Sequence, residues 1–148
     1  MKIGVFDSGV GGLSMANAIQ RQLPELEIVL REDKDHLPYG NRNPEEILGF
    51  VVPILQEMVD LGCVAIVVAC NTVSTTLGSK LKERFSLPLV MMVPMVKPAA
   101  KQTRSGTIAV CATPTTLASS RYRELKEKYA EGVKVLEPDC SDWAYMIE

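Results

Sequence analysis

The chain has 148 residues, 47% of them apolar and 23% charged, which is enough to bury a core and excludes an intrinsically disordered polymer. Lys and Arg total 16 against 18 Asp and Glu, a formal charge of −2 that argues against a nucleic-acid binder but not against a small anionic ligand. No uncharged apolar run approaches the ~20 residues of a membrane helix, Val64 to Cys70 being the longest, and Asp7 interrupts the N-terminus too early for a signal peptide, so the expected location is the cytoplasm.

Lys2 to Phe6 predicts a short buried strand, followed by the tight polar turn Asp7-Ser8-Gly9-Val10-Gly11-Gly12. Leu13 to Leu23 has helical spacing, with Leu13, Ala16, Ile19 and Leu23 on one face and Pro24 as the stop. Glu27 to Leu30 is a second strand, and Asp33 to Arg42 a charged loop. Asn43-Pro44-Glu45-Glu46 is a helix start, because Asn43 can cap, Pro44 suits the first helical position and the glutamates face the positive helix end. Ile47, Val51, Leu55, Met58 and Val59 form its inner stripe, Pro53 is expected to kink it, and Gly62 closes it.

Val64 to Ala69 is apolar without alternation, the signature of a parallel strand covered on both faces. Asn71 to Thr76 is expected as a turn and Leu77 to Phe85 as a helix. Leu89 to Val93 and Thr107 to Cys111 are further strands separated by a short helix, Val96 to Thr103. Thr116 to Tyr129 is a helix with Leu117, Tyr122, Leu125 and Tyr129 inward, and Val133 to Leu136 a last strand. Strands alternating with helices predict an α/β fold, a doubly wound, mostly parallel sheet of about six strands flanked by helices.

In such sheets ligands bind beyond the carboxyl ends of the strands. Those ends carry Asp7 and Ser8, then Cys70, Asn71 and Thr72, then Thr113, Thr115 and Thr116. A carboxylate, a thiol, an amide and several hydroxyls converge on one rim, a set that no apolar core needs. The glycine-rich turn serves either as an anion cradle beside a proton-sharing carboxylate or as a tight turn capped by Asp7. It does not match the dinucleotide fingerprint, and the GxxxxGK[ST] phosphate loop is absent. Cys70 stands before a helix start, where positive potential is expected to lower a thiol pKa from its usual ~8.5; its other reading is a small buried hydrophobe.

Pro38-Tyr39-Gly40 ends the charged loop. Gly40 frees backbone amides and Tyr39 is available to wall a pocket, or the tripeptide is an ordinary turn. His36, the sole histidine, is expected in solvent and excludes a multi-histidine metal site within one chain. Cys63 and Cys111 read as core packing, Cys140 as part of an irregular tail, and Met91, Met92 and Met95 as core fill or pocket wall. In a reducing compartment all four cysteines are free thiols.

Taken in order, Ile3 to Leu13, Asp33 to Gly40, Ala69-Cys70-Asn71-Thr72 and Ala112-Thr113 with Thr116, Ser119 and Tyr122 resemble four sequence blocks of the aspartate/glutamate racemase family, closest to its glutamate-specific branch. The resemblance implies cofactor-independent, metal-free racemisation of an acidic amino acid, glutamate or aspartate, with D-glutamate supplied to peptidoglycan. One cysteine thiolate removes the α-proton and a second cysteine returns one from the opposite face. Carried over by motif, Cys70 is the first acid/base and Asp7 assists it. Ser8, Asn71, Thr72 and the Tyr39-Gly40 backbone hold the substrate, and Thr113 and Thr116 are candidates for carboxylate contacts.

The family carries a second, similar α/β domain with a Gly-Cys-Thr-His-type motif, and no such motif follows Cys111 or Cys140. Residues 1–138 therefore correspond to the N-terminal domain and 139–148 to a tail or the start of the crossover. There Cys140 and Glu148 resemble family positions, Glu148 matching an acidic residue that assists the second cysteine. The resemblance thus covers one half-site. It implies a fragment, a truncated gene or a natural one-domain relative: inactive alone, completed by a homodimer that presents Cys70 from each chain, or acting as a binding module for acidic amino acids.

Overall fold

The computed structural model describes residues 1–147; Glu148, which the resemblance places at an acidic family position, lies outside the described residues. Among the described residues, six strands and seven α-helices follow one another along the chain. β1 (Lys2–Asp7), β2 (Glu27–Glu32), β3 (Cys63–Val68) and β4 (Leu89–Met91) form a parallel sheet in the order β2-β1-β3-β4. β5 (Thr107–Ala109) and β6 (Lys134–Leu136) pair in parallel in a second sheet, so the six strands divide between two sheets where one was expected.

α1 (Gly11–Gln22) connects β1 to β2 and packs on both. Its expected stripe is only half inside: Ala16 is buried and Ile19 partly so, whereas Leu13 and Leu23 are 52% and 45% exposed. Two 3-10 turns, Lys34–His36 and Tyr39–Asn41, break the loop after β2, and the Leu37–Pro38 peptide between them is cis. α2 (Pro44–Asp60) starts as its sequence dictates, with the Asn43 side chain accepting the Glu45 N–H at 2.9 Å. It continues through Pro53, buries Ile47, Val51, Leu55 and Met58, and ends before Gly62, whose φ of 85° is the left-handed conformation glycine favours.

β3 is not covered on both faces throughout. Val64 at its start is 50% exposed, while Ile66 and Val68 are fully buried. α3 (Asn71–Arg84) begins at once after Cys70, so the turn expected over Asn71 to Thr76 is instead the first helical turns. α4 (Val96–Gln102) precedes β5. The helix expected over Thr116 to Tyr129 is two helices, α5 (Pro114–Ala118) and α6 (Ser120–Tyr129). Ser119 makes the break, its hydroxyl donating to the Thr116 carbonyl and accepting the Tyr122 N–H. α7 (Trp143–Ile147) follows β6.

Two apolar clusters hold these elements. The larger joins Phe6, Ile47, Leu55, Ile66, Val68 and Leu77 between the four-stranded sheet and α2 and α3. The smaller joins Val96, Ile108, Tyr122, Leu125 and Ala130 beneath β5 and β6. The chain reverses direction across the first sheet between β1 and β3, and the loops leaving those neighbouring strands open a crevice at their carboxyl ends.

Candidate active site

A cleft of about 820 Å³ opens at that switch point. Asp7 and Ser8 at the end of β1, Cys70, Asn71 and Thr72 after β3, and Thr113 and Thr116 around the start of α5 all line it. These seven are the rim residues expected from the strand ends, apart from Thr115. Its hydroxyl instead donates to the Gly40 carbonyl.

Cys70 ends the β3 connection with an extended backbone (φ −66°, ψ 112°) and caps α3. Its sulfur lies 3.4 Å from the Ser8 hydroxyl, within hydrogen-bond reach for sulfur. Cys70 is 5% exposed, so the side chain belongs both to the core and to the cleft wall. The thiol pKa does not fall as the helix start suggested. Burial foremost, then the Asp7 carboxylate, push it up to about 11, against smaller opposing hydrogen bonds from Ser8 and the Val73 amide. Desolvation wins because the sulfur faces protein on nearly every side.

Asp7 is 8% exposed and leans over the start of α1. A Cβ on Gly11 would lie 2.7 Å from Asp7 Oδ2, and one on Gly12 would lie 2.8 Å from Asp7 Cβ. The glycines of the turn therefore exist to let this carboxylate sit against the helix end, where the positive terminus suits a negative charge. Thr72, Thr113 and Thr116 form a hydroxyl triangle with sides of 2.9, 3.3 and 3.0 Å.

Tyr39 and Gly40 do not reach the cleft surface. Tyr39 is 2% exposed with its ring in the larger cluster, so it does not wall the pocket; its hydroxyl donates to Asp33. Gly40 sits behind Thr113. His36 is not a free surface histidine either. Its ring stacks on Phe50 at 3.8 Å and its Nδ1 lies 2.7 Å from an Asp33 oxygen.

Cys111 is exposed and lines the cleft, contrary to its expected place in the core, because β5 ends at Ala109. Cys140 is buried beside it; burial, and then the Cys111 thiol, push the Cys140 thiol up. Met92 and Met95 line the cleft, and Met91 packs against the larger cluster. Ser14, one turn into α1, also lines the cleft and was not anticipated. Its signal is its place three residues after Gly11, on the same helix face. Among the described residues no cluster of three metal-ligating side chains occurs, and no helix is long and apolar enough to cross a membrane.

Comparison with known proteins points the same way. The chain is 41% identical to the glutamate racemase of Deinococcus radiodurans, with all of this chain and 52% of that protein covered. The crystal structure of Escherichia coli glutamate racemase in complex with L-glutamate and the activator UDP-MurNAc-Ala superposes with a TM-score of 0.89 at 35% identity, over 96% of this chain and 54% of that one. Glutamate racemase from Francisella tularensis in complex with D-glutamate gives 0.81 at 28% identity, over 99% and 55%. The chain thus spans about half the length of the curated relatives it matches. The family model for Asp/Glu/Hydantoin racemases matches residues 3–142, nearly every residue that builds the two sheets and the cleft, and the chain belongs to that family.

Proposed function

We propose that this chain carries one half-site of a cofactor-independent glutamate racemase. The observation that carries the proposal is the Cys70 thiol at the switch point, held between the Ser8 hydroxyl and the Asp7 carboxylate on the wall of the cleft. In this reading the sulfur exchanges the α-proton on one face of glutamate, and Asp7 shares that proton. A substrate ammonium group in the cleft would bring a positive charge near the sulfur and favour the thiolate that burial opposes. Ser8, Asn71, Thr72, Thr113 and Thr116 supply hydroxyl, amide and helix-start donors for the substrate's carboxylates.

Residues 1–138 form the half-site domain in this reading, and 139–148 run on from it. Every member of both apolar clusters precedes Pro138, which supports that boundary. Inversion requires a second acid/base on the opposite face. It comes from a second half like that of the longer relatives, or from Cys70 of a second copy. The D-glutamate formed would enter peptidoglycan synthesis in the cytoplasm.

The test is the exchange of the glutamate α-hydrogen in heavy water, followed by NMR for the wild type and Cys70→Ser. Exchange from one enantiomer that Cys70→Ser abolishes supports the half-site. Interconversion of enantiomers with a rate rising faster than linearly in protein concentration identifies the second copy as the other base. Binding of glutamate with no exchange overturns the proposal in favour of a binding module. Repeating the assay with aspartate fixes the substrate.

A further inference from the structure

We propose that Asp33 is a positioning residue for the hydroxyl triangle of the cleft, acting through the Tyr39 phenol; this rests on the racemase reading of the cleft. Asp33 directly follows β2, on the same sheet edge as Asp7, and its N–H donates to the Asp7 carbonyl at 3.2 Å. It is 6% exposed. Its carboxylate accepts the Tyr39 hydroxyl and lies 2.7 and 3.0 Å from His36 Nδ1. Arg42 closes the loop, its Nε donating to the His36 carbonyl at 2.8 Å. The whole segment from Asp33 to Arg42 is thus folded around one buried carboxylate, which is costly to desolvate unless its partners are fixed.

What the carboxylate fixes is the residue after Tyr39. A Cβ on Gly40 would lie 2.6 Å from both Cβ and Cγ2 of Thr113, so the Gly40 backbone rests directly on that threonine. The Gly40 carbonyl accepts the Thr115 hydroxyl from the same turn. Thr113 in turn meets Thr72 at 2.9 Å and Thr116 at 3.0 Å, and all three line the cleft. The path from Asp33 to the cleft is therefore continuous: carboxylate, phenol, glycine backbone, threonine triangle. Asp33 touches no cleft space itself. A shift of the Tyr39 hydroxyl moves Gly40, and the neighbour that must yield is Thr113.

The experiment compares the full chain with Tyr39→Phe and Asp33→Asn, by threonine-methyl NMR and by calorimetric titration with L-glutamate. Tyr39→Phe deletes the hydroxyl and keeps the ring. Asp33→Asn turns an amide N–H toward one of two donors. The expected result is that both variants move the Thr113 and Thr116 methyl resonances and weaken glutamate binding by about tenfold or more while the fold, read by circular dichroism, is kept. A purely stabilising role would lower Tm and leave both the resonances and the affinity of the folded protein unchanged, and that result overturns the proposal. If Asp33→Asn does not fold, Tyr39→Phe decides alone. If the wild type binds no glutamate, the racemase reading fails, and the threonine resonances by themselves decide whether Asp33 sets the triangle.

Discussion

At Cys70 burial and the Asp7 charge act together against the hydrogen bonds from Ser8 and the Val73 amide, and their order of size sets the chemistry. Burial is the larger of the two upward influences and the Asp7 charge the smaller, and together they outweigh the hydrogen bonds that favour thiolate, leaving a folded pKa of about 11 against an ordinary value of 9.0. A group with a raised folded pKa stabilises the fold below its unfolded value and loses that contribution as pH climbs to the folded one. The stabilisation is therefore present below about pH 9 and gone above about pH 11, a loss of about 2–3 kcal/mol. Urea unfolding at pH 8 and pH 11 should show that extra loss in the wild type and not in Cys70→Ser. Equal losses would mean the thiol is not desolvated. Asp7→Asn removes the second-largest upward influence, so the pH midpoint for iodoacetamide labelling of Cys70 should fall below about 11 yet stay above 9, because burial remains. An unmoved midpoint would separate Asp7 from the sulfur. Exposed Cys111 should label first at every pH.

At the scale of elements, local chemistry decided where the sequence was legible. Asn43 caps α2 as its residue type requires, and Asn43→Ala should cost about 1 kcal/mol in thermal or urea unfolding. The start of α3 was not legible because Asn71 to Thr76 is polar and β-branched, which disfavours helix on propensity. The structure overrides this: Ser74 donates to the Val68 carbonyl at 3.0 Å, Thr75 to that of Asn71 at 2.8 Å and Thr76 to that of Thr72 at 2.6 Å. With those hydroxyls satisfied, Thr72, Ser74 and Thr75 can be buried. The break at Ser119 was hidden for the opposite reason, since neither proline nor glycine marks it. The rim residues were legible because strand ends concentrate polar groups that a core would reject. The burial of Tyr39 was not, since nothing in the residue types shows that the loop folds back to bring the Asp33 carboxylate, six residues earlier, onto its phenol. Cys111 was misplaced because its apolar run, Ile108 to Ala112, outlasts the strand it begins in.

The molecule as a whole is two modules of unequal strength. β1 and β3 lie inside a four-stranded sheet with their core residues fully buried, and α2 and α3 cover that core. Among the described residues, β5 and β6 pair only with each other over three residues each, and a two-stranded sheet is marginal without packing. Their support is the smaller cluster, where Ile108, Leu125 and Ala130 each keep 6–8% exposure. Local opening should therefore begin at the second sheet. Native-state hydrogen exchange should find the Ile108 and Val135 amides exchanging well before those of Val5 and Val67. Two truncations sharpen the comparison. Leu55→Ala, at full burial, should cost about 2–5 kcal/mol and lower protection everywhere, because it leaves a cavity in the main core between the four-stranded sheet and α2 and α3. Leu125→Ala should cost toward the lower end of that range, since its surroundings can collapse from the surface, and should speed exchange mainly in β5, β6 and α6. Because Thr113 and Thr116 follow β5, that loosening should also reach the cleft, so Leu125→Ala should speed exchange of the Thr116 amide more than its loss of global stability alone explains. Uniform exchange across both sheets in the wild type would show instead that the two clusters open as one unit.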